Sequence, residues 1–182
     1  MDQALAWIGQ IAQWVGAFIP RWVILDTTEA AIKYRHGQPI LCPGGRIHWY
    51  WPAVSAFYQY PTARQAEQLE TQTMVSTDDK TFIVGGILVF SIEDLMALFP
   101  TTFSPSQTIR DIAMTAIHDV CCNMSWEELK AEQRKGTLDT KLKNAAQKQL
   151  SDYGVKVIKL MLTSLAPCRV LKLSQSVANE EK

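Results

Sequence analysis

Three side chains of the kind that bind metals lie close together in the sequence: His118, Cys121 and Cys122. Their spacing of i, i+3 and i+4 would bring them to one face of a helix. A structural zinc site needs four ligands, however, and no fourth ligand is evident near them. The sequence therefore predicts no metal site, and we expect ordinary helical residues that flank Ile117 and Val120.

Candidates for catalysis are equally few. Asp78 and Asp79 are adjacent carboxylates, but neighbouring residues in a turn point apart, and neither has an identifiable basic or nucleophilic partner. The sequence lacks the GxSxG, P-loop and HExxH motifs that mark common catalytic sites. We expect no catalytic residues and no cofactor, because a hydrolase would need a nucleophile and a base that this sequence does not offer.

The composition excludes some classes of partner. The 182 residues carry 18 basic and 18 acidic side chains, so the formal net charge at pH 7 is zero. A chain without net charge has no general attraction to nucleic acid or acidic lipid, and we expect no nucleic-acid partner. The four cysteines are irregularly spaced and form no CxxC pair. This pattern favours reduced thiols in a cytosolic compartment over a disulfide framework.

The remaining elements are organised around a predicted hairpin over residues 70–94. Its first strand ends near Thr77, and Asp78-Asp79-Lys80 forms the turn because Asp tolerates turn dihedral angles. Its second strand, Thr81–Ile92, is apolar on both faces, which is typical of a central strand covered above and below. Gly85-Gly86 in its middle predicts a bulge or a close approach of another backbone. One face carries Phe82, Val84, Leu88, Phe90 and Ile92, and the other carries Ile83, Ile87 and Val89.

Residues 4–19 are predicted to form an amphipathic helix. At a rise of 1.5 Å per residue the helix would span roughly 24 Å, short of the ~30 Å hydrocarbon core of a bilayer. We do not expect a cleaved signal peptide, because the basic n-region and the small-residue cleavage site are missing. We expect an interfacial membrane anchor, with a soluble-core helix and a span that continues through residues 20–25 as alternatives. The predicted membrane-contact residues are Leu5, Trp7, Ile8, Ile11, Trp14, Val15, Phe18 and Trp22.

The region after this helix is predicted to be rich in strands. Residues 28–35 alternate as a strand, and turns are predicted at residues 36–39 and 43–45. A strand then covers residues 46–52, and an aromatic segment covers residues 54–60. We expect the aromatic side chains of these two segments to pack in the core in preference to contacting lipid. This aromatic cluster comprises Trp49, Tyr50, Trp51, Phe57, Tyr58 and Tyr60.

The second half is predicted to be mainly helical and to end in a strand. Ser91 is predicted to cap a short helix that ends at Phe99, and residues 100–105 are predicted to link two subdomains. Ser125 and Glu128 form a capping box for the helix that follows them. The other predicted elements are helices from Gln107 to Val120, over Trp126–Lys135 and over Thr137–Tyr153, and a closing strand over Val155–Leu165.

Five short motifs follow one another along the chain. They are KYRHG (33–37), PGGRIHWYWP (43–52), QYPTARQ (59–65), VSTDD (75–79) and ILVFSIED (87–94). Their order and spacing resemble the SPFH superfamily, also called band 7, which includes stomatin, prohibitin, flotillin and the bacterial regulators of membrane proteases. The resemblance runs from residue 23 to residue 173. The chain departs from the family at residues 77–80, where Thr-Lys-Asp-Gly is usual, and at residues 90–92, where Tyr-Arg-Ile is usual.

The resemblance implies an α+β fold. A first subdomain of mixed or antiparallel strands is followed by a helical second half and a closing strand, and a hydrophobic amphipathic helix precedes them. The implied organisation is a membrane-associating helix (1–22), a β-rich first subdomain (23–103), a second subdomain (104–173) and a polar tail (174–182).

The resemblance also implies a function. The chain is expected to be a non-enzymatic scaffold that forms large homo-oligomers, as rings or cages, on the cytoplasmic side of a membrane. Such a scaffold organises a membrane patch or encloses and regulates membrane proteins such as proteases. Cys42 is a candidate for acylation, because related stomatins are acylated. The family's usual coiled coil is not predicted after Leu173, because the polar residues there offer no heptads. The alternative is a soluble interaction module whose N-terminal helix packs on a partner protein.

Overall fold

The computed structural model describes residue 16 and residues 19–168 of the chain. Within this part the strands are β1 (Arg21–Ile24), β2 (Glu29–Arg35), β3 (Gln38–Cys42), β4 (Ile47–Tyr50), β5 (Ser55–Pro61), β6 (Gln65–Val75), β7 (Thr81–Ile92) and β8 (Val155–Pro167). The helices are α1 (Leu95–Leu98), α2 (Pro105–Cys122), α3 (Trp126–Lys135) and α4 (Thr137–Leu150). The order is the α+β arrangement that the sequence predicts, with strands first, then helices, then a closing strand.

The described strands pair antiparallel and form three sheets. β1 and β4 form a two-stranded ribbon, β2 lies between β3 and β5, and β7 lies between β6 and β8. β6 and β7 form a local hairpin, whereas β8 joins them only after the four helices. The predicted subdomains over residues 23–103 and 104–173 therefore share one sheet.

β7 is the central strand of its sheet, as its sequence predicts. The predicted inner face is buried, with Phe82, Val84, Leu88, Phe90 and Ile92 each at most 5% exposed. The opposite face is only half-buried at Ile83, Ile87 and Val89. The prediction that both faces are covered is therefore wrong for this second face, because the helices that the structure describes pack on one side of the sheet.

Backbone bulges adjust the pairing of β7, as its two glycines predict. The ladder to β8 shifts between Gly85 and Gly86. A Cβ atom at Gly85 would lie 2.7 Å from the hydroxyl oxygen of Ser164, and one at Gly86 would lie 3.0 Å from the carbonyl oxygen of Met161. The Ser164 hydroxyl can rotate away, but the Met161 carbonyl belongs to the backbone, so the close approach of the strands favours glycine most clearly at position 86.

A second bulge changes the side-chain alternation of β6. Its pairing with β7 shifts between Leu69 and Gln72, which inserts one extra residue into β6. In a regular strand, residues five positions apart would point to opposite faces. Because of the bulge, Leu69 and Met74 are both buried against the same core.

The helices cover the inner face of this sheet. The buried residues of α2 are three or four positions apart except for one adjacent pair, and those of α4 recur every four, which is the spacing of one helical face. They are Ile109, Ala113, Ala116, Ile117 and Cys121 in α2, and Leu138, Leu142, Ala146 and Leu150 in α4. These residues join β6, β7, β8 and Ile32 of β2 in one hydrophobic core.

The helix ends follow the sequence signals with one correction. Ser125 and Glu128 form the predicted capping box of α3, and Gly136 ends that helix with a φ of 72°. Ser91 is not a helix cap, because it lies inside β7. Asp94 caps α1 instead, and its Oδ1 accepts hydrogen bonds from two first-turn N–H groups at 2.8 and 3.2 Å.

Two element boundaries also differ from prediction. The turn expected over residues 36–39 is confined to His36 and Gly37, with φ of 52° and 80°, and β3 begins immediately at Gln38. The predicted helix Thr137–Tyr153 ends at Leu150, and its last three residues form a 3-10 turn. Of the amphipathic helix predicted over residues 4–19, only residues 16 and 19 are described.

No helix in the described part of the chain combines the length and the hydropathy that crossing a bilayer would require.

The β6–β7 turn is tied to the helices by Asp78. Its carboxylate accepts hydrogen bonds from the Ser76 hydroxyl and, at 3.0 Å, from the backbone N–H of Trp126 at the start of α3. The Lys80 ammonium lies 3.0 Å away. The Ser76 hydroxyl and the Trp126 N–H hold the pKa of Asp78 well below its usual range, because these bonds favour the charged form.

The core position of β7 predicts the cost of shortening its side chains. We expect Val84→Ala and Leu88→Ala each to lower the free energy of unfolding by roughly 2–4 kcal/mol, since both side chains are fully buried. Asp79→Gly should cost far less, because Asp79 has a φ of 57° that glycine adopts without strain. Chemical denaturation measures the three values. Similar losses at all three positions would mean that the register of the hairpin is wrong.

The lowered pKa of Asp78 predicts a loss of stability in acid. A carboxyl whose pKa is lower in the folded state stabilises the fold above its unfolded pKa, and the stabilisation is lost as the pH falls through the folded pKa. We expect Asp78→Asn to flatten the dependence of unfolding free energy on pH below roughly pH 4, the usual range of an Asp pKa. Denaturation curves at several acidic pH values test this. A parallel loss in parent and variant would contradict it.

Candidate membrane-contact site

The β1–β4 ribbon has one face made only of tryptophan and isoleucine. Trp22 lies opposite Trp49 in the register, and Ile24 lies opposite Ile47. Because side chains alternate along a strand, these four share a face, which we call the Trp/Ile face. Their exposed fractions are 67% for Trp22 and Ile24, 61% for Ile47 and 56% for Trp49. A ribbon of two strands thus presents four large apolar side chains to solvent.

The opposite face of the ribbon packs on the β3–β2–β5 sheet. A small second core lies between them, formed by Leu25, Ala31 and Cys42 with Val23 and Phe57 at its margin. The ring of Tyr50 on β4 stacks on Phe57 of β5, with centroids 5.3 Å apart. Since Val23 and Tyr50 on this inner face are half-buried in these contacts, the ribbon cannot turn over to hide the Trp/Ile face without losing them.

The Pro43-Gly44-Gly45 turn fixes the position of the ribbon. A Cβ atom at Gly44 would lie 2.2 Å from the carbonyl oxygen of Glu29 and 2.3 Å from that of Asp26. The N–H of Gly45 donates to the carbonyl oxygen of Leu25 at 2.9 Å. The turn therefore lies directly against the segment that leads from β1 into β2, which only glycine permits at position 44.

The Trp/Ile face continues into other exposed apolar residues. The rings of Trp22 and Trp49 meet edge to face at 5.4 Å, so they form one aromatic surface. Ile19 precedes the ribbon, and Trp51 and Val54 follow it; they are 59%, 56% and 47% exposed.

Basic side chains accompany this surface. Arg21 and Arg46 are exposed and directly precede the first apolar residue of β1 and of β4. A contiguous apolar patch of this kind marks an interaction site on a soluble surface. Tryptophan beside arginine is the combination found at membrane–water interfaces, where the rings enter the headgroup region and the guanidinium meets phosphate. The arrangement suits contact with a lipid surface.

Comparison with known proteins gives the family. The model of the SPFH domain / Band 7 family matches residues 23–181, which is most of the chain. The chain is a member of the SPFH / Band 7 family. Members of this family are generally non-enzymatic, membrane-associated scaffolds. No curated protein gives a significant match to the chain.

The SPFH domain differs from the sequence prediction in where its aromatic residues lie. Trp49 and Trp51 were expected in the core, and that prediction is wrong, since both are 56% exposed. Tyr60 does pack against the main core, with its ring 5.5 Å from Phe99, and Phe57 borders the second core. Tyr58 is 52% exposed. Half of the cluster is therefore buried or half-buried, and half is on the surface.

The predicted membrane-contact residues lie mostly beyond the described SPFH domain. Trp22 is described, and it lies in β1 of the ribbon and not in a helix. Sequence reasoning did not identify Ile24 and Ile47 as its neighbours, although RWVI and RIHWY repeat the same alternation after an arginine. The others lie outside the described residues: Leu5, Trp7, Ile8, Ile11, Trp14, Val15 and Phe18.

The cysteine and histidine candidates for chemistry do not assemble into a site. Among the described residues, no group of three potential metal ligands is close enough to hold an ion. Cys121 is fully buried, and burial raises the pKa of its thiol to about 12. His118 is exposed beside Asp119, at 3.8 Å.

Cys42 is a poor acylation site in this fold. Its side chain is 5% exposed, inside the second core, and burial raises the pKa of its thiol. An acylated cysteine must be reachable and must form a thiolate. Burial of Cys42 limits access to its sulfur, and the raised pKa disfavours the thiolate.

Proposed function

We propose that this SPFH chain is a non-enzymatic, membrane-associated scaffold that lies on the bilayer through its Trp/Ile face and assembles there into homo-oligomers. The observation that supports this most directly is the exposure of Trp22, Ile24, Ile47 and Trp49 on one face of the ribbon. These four side chains face solvent in the described domain, whereas Val23 and Tyr50 on the other face of the same ribbon pack against the β3–β2–β5 sheet.

The position of the ribbon in the chain supports lipid as the partner. β1 begins at Arg21, directly after the amphipathic segment predicted over residues 4–19. An interfacial helix and the Trp/Ile face would then enter the same leaflet from consecutive stretches of chain. Each contact is weak alone, but linking them makes the second binding event intramolecular and strengthens attachment.

The sheet of β6, β7 and β8 supports the proposal of self-association. β6 and β8 are its two edges, and β8 is 13 residues long. A long edge strand offers unpaired backbone groups to a neighbour. The half-buried outer face around Ile83, Ile87 and Val89 adds apolar surface beside those edges. We propose that copies meet side by side through these elements on the cytoplasmic side of the membrane, and that the assembly encloses membrane proteins such as proteases.

The first test is flotation of the full chain with phosphatidylcholine vesicles. We expect Trp22→Thr/Trp49→Thr to reduce the vesicle-bound fraction by at least about tenfold, because each tryptophan lost removes on the order of 1 kcal/mol or more of apolar burial. Threonine keeps the β propensity of the ribbon. Phe103→Ser, which removes a fully exposed ring from the loop before α2, is the matched control and should float like the parent.

The same assay separates the two anchors. Trp7→Asp/Trp14→Asp tests the predicted N-terminal helix and should also release the chain from vesicles. Unchanged flotation of the ribbon variant, with a folded domain by circular dichroism, would reject the Trp/Ile face as a membrane contact and favour a soluble module that binds a partner protein.

The second test is assembly. Mass photometry of gently solubilised protein is expected to show one discrete high-mass species, because a closed assembly multiplies many weak anchors. A monomer in detergent and again on vesicles would refute the scaffold proposal.

A further inference from the structure

A pocket opens between the ribbon and the β3–β2–β5 sheet, beside the Trp/Ile face. Its volume is about 220 Å³. It is lined by two basic, three aromatic and two small side chains: Lys33, Arg35, Trp49, Tyr50, Trp51, Val54 and Ser55.

The two cations enter the pocket from one strand. Lys33 and Arg35 are two positions apart on β2, so they project from the same face of the sheet. The Lys33 ammonium donates to the carbonyl oxygen of Trp49 at 2.8 Å, which leaves two of its three N–H donors for another acceptor. Arg35 lies opposite Ser55 in the register and presents a planar guanidinium that can bind an oxyanion through two N–H groups.

No carboxylate balances these charges. Within residues 19–61 the chain has four Lys or Arg residues and only two carboxylates, Asp26 and Glu29, and neither carboxylate lines the pocket. Glu29 accepts a hydrogen bond from Gln59. In the described part of the chain, Lys33 and Arg35 form no ion pair. The net charge of the whole chain is zero, but this pocket is locally cationic.

The walls of the pocket are apolar and held in place. Trp51 accepts hydrogen bonds at its carbonyl oxygen from the Ser55 hydroxyl at 2.7 Å and from the Ser55 N–H at 2.9 Å. Trp49, Trp51 and Val54 are about half exposed, so the pocket is an open groove in which the two cations supply the attraction for an anion. Trp49 belongs both to the pocket and to the Trp/Ile face. When that face lies in the bilayer interface, the pocket lies at the level of the headgroups.

We propose that this pocket binds the phosphate of an anionic phospholipid headgroup, held between Lys33 and Arg35. The proposal rests on the proposed membrane-associated function and adds lipid selectivity to it. Phosphate is the group whose charge and oxygen geometry match an ammonium and a guanidinium on one strand. Phosphatidylcholine carries the same phosphate, but Lys33 and Arg35 would repel its choline ammonium, so the pocket should prefer a headgroup without a cation. Seating it would fix the orientation of the ribbon on the membrane, because the pocket lies to one side of the Trp/Ile face.

The experiment compares flotation of the full chain with vesicles of phosphatidylcholine alone and with added phosphatidylglycerol. We expect the parent to prefer the anionic vesicles. The preference should fall about fivefold in Arg35→Gln and about thirtyfold in Lys33→Gln/Arg35→Gln. Arg35→Gln leaves the bond from Lys33 to Trp49 intact, so its effect does not depend on ribbon packing. Binding of Arg35→Gln to neutral vesicles should be unchanged.

Two charge-matched controls separate the pocket from diffuse attraction. Arg134→Gln/Lys135→Gln removes two cations from α3 and should leave the preference unchanged. Arg21→Gln/Arg46→Gln removes two cations beside the Trp/Ile face, and its effect should disappear at about 1 M salt, where the screening length is ~3 Å. The effect of the pocket variant should persist there. Equal effects of these two variants at high salt would overturn the proposal.

The other possible results show whether the lipid pocket alone or the membrane proposal as well is wrong. Equal binding of the parent to both vesicle types would overturn the lipid pocket and leave the membrane proposal standing. Binding to neither vesicle would overturn both. Inorganic phosphate is the probe for a free anion. If it abolishes the vesicle preference at millimolar concentration and raises the melting temperature of the parent but not of Arg35→Gln, the pocket is a site for free phosphate and not for a lipid.

Discussion

The pairing of β7 with both β6 and β8 is the constraint on which the rest of the structure depends. Residues 81–92 occupy the centre of the only sheet that joins the middle of the described chain to its end. β8 follows the four helices in the chain and pairs with β7. The inner face of β7 then packs against α2 and α4 in one core. The bulge at Gly85 and Gly86 makes this close pairing possible. The apolar side chains of the long strands are buried in this core, and their burial stabilises the fold.

The ribbon packs on the second core and not on the main core, so it forms an outer layer whose second face is exposed to solvent. Ile32 of β2 belongs to the main core, while its neighbour Ala31 faces the second core under the ribbon. The β3–β2–β5 sheet is thus shared between two cores, and the ribbon is the outermost layer. An outermost layer has one face with no protein to cover it in the described domain. Most protein surfaces do not carry a contiguous patch of large apolar side chains, but the outer face of this ribbon carries Trp22 and Trp49.

The order of elements could be predicted from sequence, because hydrophobic period and capping signals are local. Thr81–Ile92 matches β7 at both ends, and the capping box of α3 is present. Apart from Trp22, the residues of the candidate site could not be predicted. Alternation in residues 46–52 shows that one face differs from the other, but period alone does not say which face is buried. The packing of Val23 and Tyr50 against the β3–β2–β5 sheet decides it, and those contacts lie outside the range of local patterns. The pocket could not be predicted for the same reason, since Lys33 contacts Trp49 only through tertiary packing.

The position of Trp49 relative to the bilayer tests the central claim most directly. The measurement is fluorescence quenching by lipids brominated along the acyl chain, on full-length variants that keep a single tryptophan and carry phenylalanine at the other five positions. If the Trp/Ile face lies in the membrane interface, bromines near the headgroups will quench Trp49 strongly. Trp126, which is 9% exposed in the main core, will remain unquenched. Equal and weak quenching of both tryptophans on vesicles that carry the bound protein would contradict the account.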